Sequence, residues 1–126
     1  MLFHSERSFE LWDYHVSHRQ LLIRSPMRDA LPANIDLIFV GVSFLKCDTF
    51  FQTIELDLAQ ADEIAQLGIV VKDGVVYRIK SCGGDAWIAA SQFKVLSNTL
   101  PIFESSLEYL FKPRTPQDYG IILAES

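Results

Sequence analysis

The sequence predicts an α+β fold: a mainly antiparallel β-sheet, curved or partly closed, of six or seven strands with two short helices. Three observations lead there. Most apolar runs are short, rich in Val, Ile and aromatic residues, and bounded by turn residues. Neighbouring runs are separated by only a few residues of turn chemistry, which joins them as hairpins. The regular exchange of strand and long helix that a parallel sheet needs is missing.

Each element follows from its residues. Residues 9–16 hold Leu11, Trp12, Tyr14 and Val16, large and β-branched side chains suited to a pleated surface. Residues 19–24 resume with Leu21, Leu22 and Ile23 until Ser25-Pro26 breaks the pattern, so the two runs form a first hairpin across Ser17-His18. Residues 28–34, with Pro32 and Asn34, read as a connecting loop. Residues 35–47, IDLIFVGVSFLKC, are nearly free of polar side chains between Asp36 and Ser43, which predicts a central strand covered on both faces. Gly41 within it predicts a bulge or bend. Residues 50–58 alternate, with Phe50, Gln52, Ile54, Leu56 and Leu58 on one parity, as a half-exposed strand does.

Residues 59–67 supply helix formers, with Ala61, Ile64 and Ala65 on one side and Asp62, Glu63 and Gln66 on the other, and Gly68 can end that helix in a left-handed conformation. Residues 69–71, 75–80 and 86–90 form a meander, turned at Lys72-Asp73-Gly74 and at Cys82-Gly83-Gly84-Asp85. Residues 91–97 continue as a strand. In residues 101–111 the apolar positions Ile102, Phe103, Leu107, Leu110 and Phe111 recur at spacings of three and four, the pattern of a second helix, which Pro113 and Pro116 end. The chain reads as one domain, 1–126, with residues 1–8 and 113–126 as loosely packed ends.

At 126 residues, 49% of them apolar, the chain can bury one core without metal or disulfide, and it is too short for two domains. A formal charge of −5 works against a phosphate backbone or an anionic membrane, so neither nucleic acid nor membrane is expected as a partner. The N-terminus carries Glu6 and Glu10 without an uninterrupted apolar stretch, unlike a secretory leader, and no run approaches the ~20 apolar residues of a membrane span. A cytoplasmic location is the expectation, with Cys47 and Cys82 as reduced, largely buried thiols.

Chemistry-bearing groups are sparse. His4, His15 and His18 with Glu10 and Asp13 are the one concentration of ligand-type side chains, and His15 and His18 form an HxxH spacing whose rings diverge on a strand and turn. Cys82, beside Gly83 and Gly84, stands where an exposed nucleophile would, but no base adjoins it in sequence. Phosphate-loop, dinucleotide and nucleophile-elbow motifs are missing, so no cofactor, metal ligand or catalytic residue is assigned. For partner binding the candidates are the strand aromatics Trp12 and Tyr14 and the acidic residues Asp48, Glu55, Asp57, Asp62 and Glu63, which lie in a stretch, 48–71, containing neither Lys nor Arg.

The segments FELWDYHVSHRQLLIRSP, NIDLIFVGVSFLKC, WIAASQFKVLSN and IFESSLEYL, together covering much of residues 9–110, resemble a group of small bacterial proteins of uncharacterised function. That resemblance implies a single bacterial cytoplasmic domain and transfers no active-site residue. The small, acidic, motif-free profile is also similar to that of immunity proteins made beside contact-dependent toxins. The first expectation is a non-enzymatic protein-interaction domain with a basic partner. The alternatives are a small-molecule binder or enzyme with a pocket near Cys82 and the first hairpin, and a structural subunit of a homo-oligomer.

Overall fold

The structure is a computed structural model that describes residues 1–109 and 120–126. Among the described residues nine strands form one sheet: β1 (Phe3–His15), β2 (Gln20–Ser25), β3 (Asn34–Val40), β4 (Phe44–Lys46), β5 (Phe50–Leu58), β6 (Val75–Ser81), β7 (Gly84–Ala90), β8 (Gln92–Asn98) and β9 (Ile121–Glu125). Their order is β4-β7-β6-β5-β1-β2-β3-β8-β9, and every neighbouring pair is antiparallel. Among the described residues the one α-helix is α1 (Ala61–Leu67), with 3-10 turns at Ser17–Arg19 and Ser106–Tyr109.

The expected class is thereby corrected. The molecule is an open antiparallel sheet, 57% strand and 11% helical, which makes it mainly β rather than α+β. Four differences separate the observed elements from the expected six or seven strands. The apolar run 35–47 is not one strand: Gly41 takes φ +72° and the chain breaks there into β3 and β4. Residues 3–8 extend β1 instead of forming a loose end, because they pair with β5 from Phe3↔Leu56 onward. Residues 121–125, also expected to be loose, pair with β8. Residues 69–71 form no strand, so the expected meander is a two-stranded hairpin of β6 and β7. The second helix is only the Ser106–Tyr109 turn; Leu110, Phe111, Pro113 and Pro116 lie outside the described residues.

Two short links bend the sheet over itself. Residues 41–43 join β3 to β4, and Ser91 alone joins β7 to β8, although each link connects strands from opposite halves of the order. The links touch, with Ser91 N donating to Val40 O at 2.9 Å and Ser43 N to Ala89 O at 2.8 Å. Both halves therefore face one core, where Phe9, Leu21, Ile23, Leu37 and Phe39 meet Ile54, Leu56, Tyr77, Ile79 and Ile88. Tyr77 of β6 packs edge-on against Phe93 of β8 at 5.3 Å and beside Phe39 of β3 at 5.5 Å, tying the layers together. Each large aliphatic buried this way contributes about 1.5–3 kcal/mol.

The outer face of β2, β3 and β8 is covered as well, which is why Ile38 and Val40 on this face are as apolar as Leu37 and Phe39 on the inner one. Leu22, Ile38, Val40 and Leu96 pack under Leu107 of the strap formed by residues 99–109. Beside them sits a fully buried polar cluster. Arg24 donates Nε and Nη2 to the Asp36 carboxylate at 2.7 and 2.9 Å, and Nη1 to the Glu104 carbonyl at 2.7 Å. Asn98 donates to Asp36 at 2.8 Å, while Asn34 donates to Asn98 Oδ1 and to the Leu100 carbonyl, both at 2.8 Å. The strap is thus fastened by its own backbone carbonyls to side chains of the sheet.

Candidate functional site

The opposite outer face, that of β5 and β6, carries no comparable lock. After Leu58 the chain leaves the sheet, Ala59 N still donating to Val76 O at 2.9 Å, and turns into α1. A capping box starts the helix: Gln60 is the N-cap and its backbone N–H donates to Glu63 Oε2 at 3.0 Å. Asp62 and Glu63 in the first turn suit the positive end of the helix dipole. Gly68, at φ +70°, ends it as the sequence predicts. At seven residues the helix is too short to persist on propensity alone, yet none of its residues is fully buried, Glu63, Ile64 and Leu67 being half-buried and the rest exposed.

What remains between α1 and the strand ends is an apolar groove of about 350 Å³, lined by Leu58, Ala59, Ile64, Val71, Gly74, Val75 and Val76. Leu58 is 47% exposed, Val75 39% and Val70 89%, so this corner presents its aliphatic groups to water. Gly74 is required at one end of the groove: at φ +93° it brings the backbone so close that a Cβ would sit 2.4 Å from the Ala90 carbonyl oxygen.

One charge pair ties α1 across to the sheet. Arg78 Nη1 of β6 donates to Glu63 Oε1. The Glu63 carboxyl is held below the usual glutamate range, first by the Gln60 backbone hydrogen bond and then by the charge and hydrogen bond of Arg78, with the Trp87 indole alongside; partial burial opposes them.

The acidic candidates do not form one surface. Glu55 stands opposite Lys80 and Asp57 opposite Arg78 in the β5–β6 ladder, and Asp57 also lies 3.6 Å from the Met1 ammonium. Glu63 is taken by Arg78. Asp57, Asp62 and Glu63 gather near the groove, whereas Asp48 precedes the far end of β5, a strand about 26 Å long at the usual rise. The cations that interleave with this acidic run come from β6, beyond the stretch that contains no Lys or Arg.

The aromatic candidates separate too. Trp12 packs beside the second core cluster with its ring 5.4 Å from Arg24 Cζ, as part of the scaffold. Tyr14 is 46% exposed and lines a shallow second groove of about 280 Å³ with Val42, Ser43, Phe44 and Leu45 at the β4 edge.

Cys82, expected to be largely buried, is exposed in the β6–β7 turn, in a cleft of about 300 Å³ lined also by His4, Glu6, Thr53, Glu55, Lys80 and Ser81. Its Sγ lies 3.2 Å from Thr53 Oγ1, a hydroxyl that is not a base at neutral pH. Cys47 is half-buried, and burial with the nearby Asp48 charge pushes its thiol pKa up. The histidine that shares the cleft with Cys82 is His4, not those of the first hairpin. His15 and His18 lie toward the other end of β1, roughly 35 Å away along the strand. His15 Nε2 is 2.9 Å from Asp13 and 3.5 Å from Glu108, and His18 sits in the turn at φ +58°, its carbonyl accepting from Gly41 N. Nothing local in the sequence links His4 to Cys82; their meeting depends on the β1–β5–β6 register and on a bulge at which Thr53 takes φ +56°.

Among the described residues no three His, Cys, Asp or Glu side chains are placed to hold a metal ion, and no helix is long and apolar enough to cross a membrane. In comparisons with known proteins, no protein-family model, no curated protein and no solved structure matches the chain.

Proposed function

We propose that this chain is a non-enzymatic, cytoplasmic protein-interaction domain that takes an apolar segment of another protein, flanked by basic residues, into the groove beside α1. The observation that carries this reading is a helix with no fully buried residue that leaves Leu58, Ile64, Val71 and Val75 around an open groove. Covering such surface gains about 25 cal/mol per Å². Asp62 and Asp73, both exposed, supply negative charge at the groove's margin for the flanking cations. Neutralisation of a basic toxin by an immunity-type protein is one form of this role.

The test is affinity capture with paired baits: the wild-type chain, Leu58→Asp with Val75→Asp, and Tyr14→Ala as a control remote from α1. The expected result is a protein retained by the wild type and the control, lost from the groove variant, and released by salt more readily after Asp62→Asn and Asp73→Asn. Identical capture by all three baits would overturn the reading. A homo-oligomeric subunit is a second reading, favoured by edge strand β9, whose Ile121, Ile122 and Leu123 are 68%, 44% and 48% exposed. Sedimentation at high protein concentration decides it, and a strict monomer rejects it.

A further inference from the structure

The geometry points to α1 as a latched flap: the Glu63–Arg78 pair holds the helix beside the sheet, and its release swings α1 away so that the groove wall of Leu58, Val71, Val75 and Val76 can receive the partner's apolar segment. This deepens the docking reading above and rests on it for the identity of the occupant.

Four features combine. First, no α1 residue is fully buried and none belongs to either core cluster, Glu63, Ile64 and Leu67 being half-buried, so moving the helix breaks no packed core. Second, its charged tie to the strands among the described residues is that pair, with the Trp87 indole alongside Glu63, besides the Ala59-to-Val76 backbone bond at the point where the chain leaves β5. Third, the helix is followed by Gly68 at φ +70°, where a Cβ would meet nothing within 4 Å, and then by residues 69–74 without helix or strand, ending in Gly74 at φ +93°. Those backbone positions can absorb a rotation. Fourth, the two oxygens of Glu63 are divided: Oε2 accepts from the Gln60 backbone and closes the capping box, while Oε1 accepts from Arg78. The helix can therefore unlatch and remain a helix. Arg78 also has somewhere to go, because Asp57 is its cross-strand neighbour and its Nε has no partner in the latched state. Two discrete arrangements of one guanidinium, on Glu63 or on Asp57, are what a switchable contact requires.

Glu63→Gln separates latch from cap, since Gln at that position still completes a capping box but loses the charge attraction to Arg78. Hydrogen exchange should show the α1 amides of Glu63→Gln and of Arg78→Gln exchanging about fivefold faster, the scale of one lost partly exposed pair, with β6 and β7 unchanged. Binding of the neutral dye Nile red should rise in the same variants, and adding Val75→Asp should abolish the increase. Unchanged α1 exchange and dye binding would overturn the flap, as would accelerated exchange spread equally through β6 and β7. If α1 responds but capture of the partner is insensitive to Leu58→Asp, the flap stands and the docking reading fails. If the partner is lost from the groove variant while α1 is static in Glu63→Gln, the docking reading stands and the flap fails.

Discussion

Asp36→Asn keeps the size of a buried side chain and removes its charge, leaving the Arg24 guanidinium uncompensated where both residues are fully buried. Breaking a buried pair from one side costs about 3–5 kcal/mol, a large part of the roughly 5–15 kcal/mol that stabilises a domain. With a urea slope near ~2 kcal/mol/M, a loss of ~4 kcal/mol lowers the unfolding midpoint by about 2 M. Arg24→Met should cost a similar amount, because it takes two donors from Asp36 and the Arg24 hydrogen bond from the Glu104 carbonyl. In the double variant no charge is left unpaired, and the amide introduced at position 36 can still bond Asn98. Its midpoint should therefore be no lower than that of either single variant, a coupling of about 4 kcal/mol or more. Trp12 lies 5.4 Å from Arg24 Cζ, so its emission should shift to the red in each single variant as the strap loosens. Singles that move the midpoint by less than about 0.5 M, or that simply add in the double, would refute the claim that this pair fastens residues 99–109 to the sheet.

Three further outcomes follow from other parts of the molecule. Gly41→Ala forces a side chain onto a residue at φ +72° and places its Cβ 2.4 Å from Ser91 Oγ; a loss of about 2 kcal/mol, seen as a fall in Tm of roughly 6–10 °C, is expected, and Ser91→Gly should recover only the steric part. Glu63 has a folded-state pKa below its unfolded one, so its contribution is complete above the unfolded value of about 4.3 and disappears as pH falls through the folded value. The Tm difference between wild type and Glu63→Gln should then shrink from about pH 7 to about pH 3; a difference that stays constant refutes the assignment. Iodoacetamide should alkylate Cys82 at least ~10-fold faster than Cys47, whose thiol is half-covered and carries a raised pKa, and peptide mass spectrometry reads the ratio.

Local patterning was legible where the determinants are local. The bounds of β5 coincide with the alternating run 50–58, and the β6–β7 hairpin sits where the Gly83-Gly84 chemistry places it. The face of each β5 residue was less so. Simple alternation puts Phe50 inside, but Phe50 is 53% exposed and Phe51 is 2%, because the bulge at Thr53 shifts parity between Phe51 and Ile54. The helical spacing of Ile102, Phe103 and Leu107 misleads for a different reason. The carbonyls of Leu100 and Glu104, which a helix would use internally, accept from Asn34 and Arg24 instead, leaving Phe103 84% exposed. β1 before Phe9 and all of β9 owe their structure to pairing with distant strands, which no local pattern encodes. At the candidate site the acids were visible in the sequence, whereas Arg78 and Lys80, which stand against Glu55, Asp57 and Glu63, enter only through the β5–β6 register and the turn into α1.

The two outer faces of the sheet are held with very different strengths, and that difference is what assigns them different work. On β2, β3 and β8 the strap is fixed by a buried pair whose disruption costs about 3–5 kcal/mol, together with the packing of Leu107. On β5 and β6 the helix is held by a partly exposed pair worth about 1 kcal/mol or less, with no buried residue to reinforce it. Local opening samples the cheaper of two such contacts first, by a factor of roughly thirty for each ~2 kcal/mol of difference. A partner that must displace part of the fold to reach apolar surface therefore finds that surface under α1 and not under the strap. The same inequality sets an internal control: substitutions at Arg24 or Asp36 should lower global stability while leaving α1 exchange itself unchanged, and substitutions at Glu63 should speed α1 exchange with only a small effect on Tm.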